Sequence, residues 1–336
     1  MPAVSVITAA YNVAPYLPAA IESVLSQTFS DFELLVVDDG ATDESPRIAQ
    51  DYARRDARVR VLHRPNGGIS AARNTALREG RAPVFAILDG DDLWEPEFLA
   101  SQLAVLERRP EIDLVTGNAW FLGGPLDGRP ARPWPDPRPE PDLATIIADE
   151  DAVFCMTVFR RRVCDTIGGF DERFRTSEDY DFWLRAALAG FRFARNDRPL
   201  GRYRRRSGSL TSDDVRMVRG ILLVYRHIRA LLGARPAEAA LADAQITRFT
   251  TLLHEVEARH ALMSRDFAAA AAHLAALHER RGGARLAIAR LMARWAPGLL
   301  SRAYEIRLRR GMTPRPATAS TGGAPLYGPA CSEGLK

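Results

Sequence analysis

The sequence is poor in cysteine, nearly empty of lysine and free of long apolar runs, and each shortage narrows what the protein can be. Its three cysteines, Cys155, Cys164 and Cys331, form neither an even framework nor a CxxC pair. That argues against structural disulfides and a thiolate zinc site, and suits a reducing compartment. Lys336 is the sole lysine, so nearly all of the 46 basic side chains are arginine. A bias this complete reads as codon composition, and nucleic acid is not an expected partner. The net charge of +4 would suit any anionic ligand and does not choose among them. No basic segment precedes the apolar run of MPAVSVITAAYN, and no stretch of about eighteen apolar residues occurs. A cytoplasmic protein is expected, neither secreted nor membrane-spanning.

What is present is globular. With 336 residues, 46% apolar and 26% charged, the chain can build one large domain, or one domain and an appendage. Apolar β-rich runs alternate with amphipathic stretches: Ala3 to Thr8 then Pro15 to Thr28, Phe32 to Asp38 then Ser45 to Arg55, Arg58 to His63 then Ser70 to Glu79, Pro83 to Leu88 then Pro96 to Arg108. This βαβα series predicts an α/β fold, a mostly parallel sheet with flanking helices. The cores VSVIT, ELLVV and VFAIL are apolar throughout, as in strands covered on both faces. A catalytic domain is expected over 1–210. Further strands are predicted at Ile112 to Leu122 and Phe154 to Arg160, a helix at Glu178 to Ala189, and two short strands between Phe191 and Arg206. Seven prolines between Pro125 and Pro141 make 123–141 a long loop, either a functional lid or a tolerated insertion. A C-terminal α-helical appendage is expected over 211–310, and a disordered tail over 311–336.

In such sheets ligands collect at the carboxyl ends of the strands, and there three acidic clusters stand out. Asp38-Asp39-Gly40 follows ELLVV; a carboxylate there can accept a nucleobase ring N–H, although Asp and Gly also suit any turn. Asp89-Gly90-Asp91-Asp92 follows VFAIL. Three carboxylates so close repel one another unless a cation sits among them, and hard oxygens suit Mg²⁺ or Mn²⁺ held jointly with a diphosphate. Glu178-Asp179-Tyr180-Asp181 opens a predicted helix. Acids in a first turn favour the helix dipole, but the neighbouring Gly168-Gly169-Phe170-Asp171-Glu172 could form a turn that closes on a substrate, beside a carboxylate acting as general base.

Together with Thr8-Ala9-Ala10-Tyr11-Asn12 and Asn66-Gly67-Gly68-Ile69-Ser70-Ala71-Ala72-Arg73-Asn74, these motifs resemble, in order and spacing over roughly 1–210, the family 2 glycosyltransferases of GT-A (Rossmann-like) fold. The resemblance implies an inverting, metal-dependent transfer of a sugar from a nucleoside diphosphate, uridine being expected, to an acceptor hydroxyl. It implies that Thr8, Ala9 and Tyr11 line the nucleoside pocket with Asp39 on the base, that Arg73 lies near the nucleotide and Asp89 near the ribose, that Asp91 ligates Mn²⁺ or Mg²⁺, and that Asp179 is the catalytic base. Gly169, Glu178 and Arg206 are candidate acceptor or diphosphate contacts. Arg206 stands where many relatives carry histidine. It cannot ligate a metal, so it either supplies charge to the leaving group or belongs to a solvated loop. The implied partners are a nucleotide sugar and a glycan or lipid-linked acceptor of cell-surface polysaccharide or glycolipid synthesis. A nucleotidyltransferase, or a non-catalytic sugar-nucleotide scaffold, is the alternative.

Two features lie outside that resemblance. The histidines His227, His254, His260, His273 and His278 fall in the expected appendage; His254 and His260 do not keep the i, i+4 spacing of a zinc helix, and all five read as ordinary helix-surface or packing residues. The stretch 284–310 carries seven arginines against one glutamate, interleaved with Leu, Ile, Met and Trp295. It suits either packing on the catalytic domain or peripheral contact with the inner face of an anionic membrane.

Overall fold

The computed structural model describes residues 1–206 and 213–309; the predicted tail lies outside the described residues. The chain opens with β1 (Val4–Ala10), α1 (Leu17–Leu25), β2 (Phe32–Asp38), α2 (Ser45–Arg55), β3 (Val59–His63), α3 (Ile69–Glu79), β4 (Val84–Ile87), β5 (Leu93–Trp94) and α4 (Phe98–Arg108). It continues through β6 (Leu114–Leu122), α5 (Leu143–Ala148), β7 (Thr157–Arg160), α6 (Arg161–Ile167), α7 (Glu178–Leu188) and β8 (Phe193–Arg204). Five helices follow: α8 (Asp214–Leu231), α9 (Pro236–Met263), α10 (Phe267–Arg281), α11 (Ala284–Trp295) and α12 (Pro297–Arg309).

The strands form one sheet in the order β3-β2-β1-β4-β7-β6-β8-β5. β3, β2, β1 and β4 are parallel neighbours, and β6 and β8 run the same way. Only β7 and β5 oppose them. The sheet is therefore mixed, with six of its eight strands pointing in one direction. Because β1, β2 and β4 are almost wholly buried on both sides, helices cover both faces. One buried cluster joins Val4, Val6, Leu34 and Val36 to α1, α2 and α4, and the other joins Ile7, Leu35, Val37 and Phe85 to α3, α6, α7, α8 and α9.

The structure departs from the sequence expectation at β8 and adds detail to it in two other places. β8 is one twelve-residue strand where two short strands were expected. Its pairing with β6 slips around Asn118, where the Asn118 amide donates to the Asp197 carbonyl and carries the pairing past Pro199. The Pro-rich loop is pinned to the sheet: Ala131 donates to the Ala119 carbonyl, and Arg138 bridges Asp136 and Asp149. Finally, Val218, Ile221, Tyr225 and Ile228 of α8, with Phe249 of α9, belong to the same apolar cluster as the sheet. Burying a Leu, Ile or Phe side chain contributes about 1.5–3 kcal/mol, so α8 is held as firmly as the helices before it. No described helix is long and apolar enough to cross a membrane.

Candidate functional site

Parallel strands deliver their carboxyl ends to one edge of the sheet, and the acidic clusters gather there. β5 pairs with Gly201 and Arg202 of β8, which folds the segment after β4 against the far end of the sheet. The Arg204 N–H donates to Asp92 Oδ1 (2.7 Å), and its guanidinium donates to the Asp91 carbonyl (2.7 Å). Arg206 Nε donates to Asp91 Oδ2 (2.8 Å), and its guanidinium lies 5.2 Å from the centre of the Tyr16 ring. A side chain at Gly90 would crowd its neighbours, because a Cβ would stand 3.0 Å from the Ala9 carbonyl and 3.1 Å from Val13.

Above this edge opens a cleft of about 450 Å³, lined among others by Ala9, Tyr11, Asp39, Asp89, Asp91, Arg175, Arg204, Arg206 and Arg216. Four arginines on its wall can pair with a polyanion, set against four aspartates, Asp39, Asp89, Asp91 and Asp92, on the same wall. Asp39 is almost fully buried and accepts from Arg64 and from the N–H groups of Gly67 and Gly68 (2.8 Å to the latter). Those bonds order the loop ahead of α3 and leave the carboxylate on the cleft wall. Asp38 turns away to His63 and the Ala41 N–H. Thr8, expected on the same wall, is 1% exposed and does not line the cleft.

A smaller cavity of about 130 Å³ adjoins it, sharing Ile69, Asp89 and Tyr203. Arg73, Glu178 and Asp179 line it, with Glu150, Asp151 and Trp183 on other sides. Arg73, 2% exposed, donates to Glu178 Oε1 and Asp89 Oδ1, each at 2.7 Å. Burial works against its charge, but the carboxylates of Asp89, Glu178 and Asp179 outweigh that and hold its pKa above the usual arginine value. It therefore ties α3, the segment after β4 and α7 together. Removing one partner of such a buried pair costs about 3–5 kcal/mol.

Asp179 stands in the first turn of α7, where its Oδ1 accepts the Tyr180 N–H (2.8 Å). Burial raises its pKa, Arg73 opposes this, and the charge of Asp89 adds to it. A buried carboxylate with raised basicity facing a cavity is suited to accept a proton. Burial likewise pushes Glu178 up to about 7, with Arg73 opposing and Asp179 adding. The turn before α7 places Ser177 at φ 59°, a left-handed conformation that costs a non-glycine residue about 1–3 kcal/mol and often accompanies functional sites. α7 itself is anchored by aromatic packing of Phe170 on Phe182 at 4.5 Å and of Phe159 on Phe182 at 5.3 Å.

Gly169 lines neither cavity. A Cβ on it would stand 2.2 Å from Asn74 Oδ1. The Asn74 side chain bonds both the N–H and the carbonyl of Phe170, and Arg185 donates to the Gly169 carbonyl. The GGF turn is thus a packing joint that seats α7, where the sequence had suggested closure on a substrate. Sequence reasoning also missed Arg175, Arg204 and Arg216 on the larger cleft, and Glu150, Asp151 and Met217 on the smaller one. Arg204 could have been found from its position beside Arg206. Arg216 and Met217 arrive on α8, from beyond the expected catalytic domain, with no motif to mark them. No residue of 123–141 lines either cavity, although Arg132 donates to the Ala152 carbonyl and supports the wall at Val153 and Phe154.

Comparison with known proteins agrees with this geometry. The family profile described as Glycosyl transferase family 2 matches residues 5–168. The Bacillus subtilis protein EpsJ, an uncharacterized glycosyltransferase, is 50% identical over 92 residues, covering 27% of this chain and 27% of EpsJ. The chain thus matches only about a quarter of that relative's length. TuaG of Bacillus subtilis, provisionally named a teichuronic acid biosynthesis glycosyltransferase, is 32% identical over 234 residues, covering 68% of this chain and 90% of TuaG. Among solved structures, S. aureus TarS 1-349 in complex with UDP-GlcNAc is similar at a TM-score of 0.61 and 22% identity, over 94% of this chain and 93% of that one. A Pyrobaculum calidifontis mannosyltransferase in complex with GDP-Man and Mn²⁺ is similar at 0.57 and 19% identity, over 93% and 83%. These two establish the GT-A fold with its C-terminal helices. The sheet-edge acids in register with their motifs, and a relative matched over nine-tenths of its length, show that this chain belongs to glycosyltransferase family 2.

Proposed function

We propose that the protein moves a sugar from a nucleoside diphosphate, in the first instance uridine diphosphate, onto an acceptor hydroxyl with inversion at the anomeric carbon. The observation that carries this reading is the meeting of the two cavities at Asp89: one side is arginine-rich and large enough for a nucleotide sugar, and the other is acidic and holds Asp179. Ala9, Tyr11 and Asp39 receive the nucleoside, while Arg206 and Arg216 face the diphosphate. The acceptor enters from the smaller cavity. Asp179 takes its hydroxyl proton as the oxygen attacks the anomeric carbon from the face opposite the leaving group. The bond to the diphosphate then breaks, its electron pair passing to the diphosphate oxygen beside the arginines. Glu178, fixed by Arg73, shapes the approach to that base.

Mn²⁺ or Mg²⁺ fits the Asp89 to Asp92 segment. Burial and the charge of Asp89 raise the Asp91 pKa, Arg206 relieving only part of this, and a divalent cation held there would offset the remaining repulsion. Asp91 would hold it together with substrate oxygens, as suits a metal that keeps few protein ligands. When bound, the ion neutralises charge developing on the diphosphate. The mannosyltransferase bound to GDP-Man and Mn²⁺ supports this reading; the TarS complex with UDP-GlcNAc and the name of TuaG support a uridine donor and a cell-surface polysaccharide product.

A lipid-linked acceptor at the inner face of the membrane is consistent with α11 and α12. Ile288, Leu291, Trp295 and Leu299 are exposed there among the arginines 285, 290, 294 and 302, an arrangement complementary to an anionic bilayer. Flotation with anionic and neutral vesicles tests this, and failure to float with the anionic ones removes it.

The main test is a donor panel of uridine, thymidine and guanosine diphosphate sugars with Mn²⁺ or Mg²⁺, following slow donor hydrolysis and binding. Turnover of one donor, with Asp91→Ala weakening diphosphate binding and Asp179→Asn sparing it, supports the assignment. Binding without turnover under every condition favours the scaffold reading. Synthesis of a nucleotide sugar from a nucleoside triphosphate and a sugar phosphate favours a nucleotidyltransferase.

A further inference from the structure

The helices after the catalytic core bring together residues that the sequence reading had set aside as packing histidines. His254 and Glu257 lie three residues apart on α9 and so share a face, and α10 presents His273 to that face. His254 Nδ1 and His273 Nδ1 are 3.1 Å apart, and His273 Nδ1 is 3.2 Å from Glu257 Oε2. All three ligand atoms lie within 4.8 Å of one another, and all three residues are half-buried. We propose that His254, Glu257 and His273 bind a first-row transition-metal ion of the Zn²⁺ class, which joins α9 to α10.

Three observations carry the proposal. First, the spacing suits a tetrahedral ion: zinc bonds of about 2.0–2.1 Å place neighbouring ligand atoms about 3.3 Å apart, close to the two distances found here. Second, the carboxylate is already oriented. Arg219 of α8 donates to Glu257 Oε1 from both Nε and Nη2, which leaves Oε2 turned toward the histidine. Such an outer partner is how metal sites fix a ligating carboxylate. Third, the buried apolar clusters at this end of the helical region are small: Ala258, Leu274, Leu277 and Ala293 form one, with Leu286 and Leu300 at its edge, and Ala261, Leu262 and Ala270 form another. A link between α9 and α10 beyond the Arg281–Glu255 ion pair would therefore add to a modest core.

The site is separate in chemistry from the donor cleft. Two imidazoles and one carboxylate select Zn²⁺, Co²⁺, Ni²⁺ or Cu²⁺ over Mg²⁺, whereas Asp91 and diphosphate oxygens suit Mg²⁺ or Mn²⁺. The second group of this kind, Asp171, Asp181 and His227, is not proposed. There Arg173 lies against both Asp171 and His227, and Arg185 pairs with Asp181, so a cation already stands against every member of the group. In the proposed site, among the described residues, the one arginine contact is to the far oxygen of Glu257.

The proposal does not rest on the transferase reading and is tested apart from it. The full chain carrying Asp91→Asn, stripped with chelator, is titrated with Zn²⁺ in excess Mg²⁺ by calorimetry. One Zn²⁺ per chain is expected, with a rise in thermal midpoint as it binds. Arg219→Gln should weaken binding about tenfold, within the range for an outer partner, and His254→Gln or His273→Gln by more than about 100-fold. Co²⁺ added to the chain with His254 and His273 intact gives a readout that needs no histidine variant: intense visible bands of a four-coordinate ion are expected. Histidine variants that bind Zn²⁺ like their parent, displacement of Zn²⁺ by Mg²⁺, or only the weak bands of octahedral Co²⁺ would overturn the site.

Discussion

Replacing Glu178 by glutamine removes one charge from the buried group around Arg73 while keeping an oxygen for Arg73 to bond. In the folded protein Glu178 is pushed from 4.5 up to about 7, by burial first and by Asp179 next, with Arg73 opposing. Between those values the folded state holds a proton that the unfolded chain has released. The contribution of Glu178 to stability is therefore complete below about pH 4.5 and is lost as pH rises through 7. At about 1.4 kcal/mol per pKa unit, and allowing for charge shared with Asp179 and Asp89, the loss is roughly 2–3 kcal/mol. Glu178→Gln does not undergo it. Relative to the parent, the variant should gain roughly 3–6 °C in thermal midpoint between pH 5 and pH 8. Scanning calorimetry of both proteins at half-unit pH steps reads this directly. Profiles that stay parallel from pH 5 to pH 8 would refute the argument, because they would mean that Glu178 is ionised in the fold with full compensation by Arg73.

Asp179→Asn should cut kcat by roughly 10²- to 10⁴-fold with donor binding little changed, the usual range for loss of a general base; steady-state kinetics beside calorimetric binding of the donor nucleotide checks it. Arg216→Ala removes a cation that reaches the larger cleft from an exposed helix start. It should weaken nucleoside diphosphate binding by about 1 kcal/mol, a difference that shrinks as salt is raised. Gly169→Ala should destabilise the fold by about 1–3 kcal/mol through overpacking against Asn74, measured by urea denaturation. The double variant with Asn74→Ala should regain little, because Asn74 also holds both polar backbone groups of Phe170.

The reading from sequence and the structure agree where chemistry follows from local pattern. Asp39, Asp89 and Asp91 follow apolar strands, and parallel pairing of β2, β1 and β4 brings strand ends to one edge whatever the loops do. Arg206 was legible as a departure from a motif, and the structure places it on Asp91. Gly169 and Thr8 had been read from motif position alone; the approach of Asn74 and the depth of β1 decided what those residues touch.

From its order of apolar and acidic segments alone, then, the chain determined an α/β sheet, the edge on which its acids would stand and the family to which they belong. Tertiary structure alone decided that Arg73 joins Asp89 and Glu178, that α8 supplies Arg216 to the larger cleft, and that His254 and His273 face each other across two helices. The physical reason is range. A strand with its turn is specified within about ten residues by its apolar run and turn chemistry, whereas contacts between groups 16 to 105 residues apart depend on how helices and strands pack, which no periodicity records.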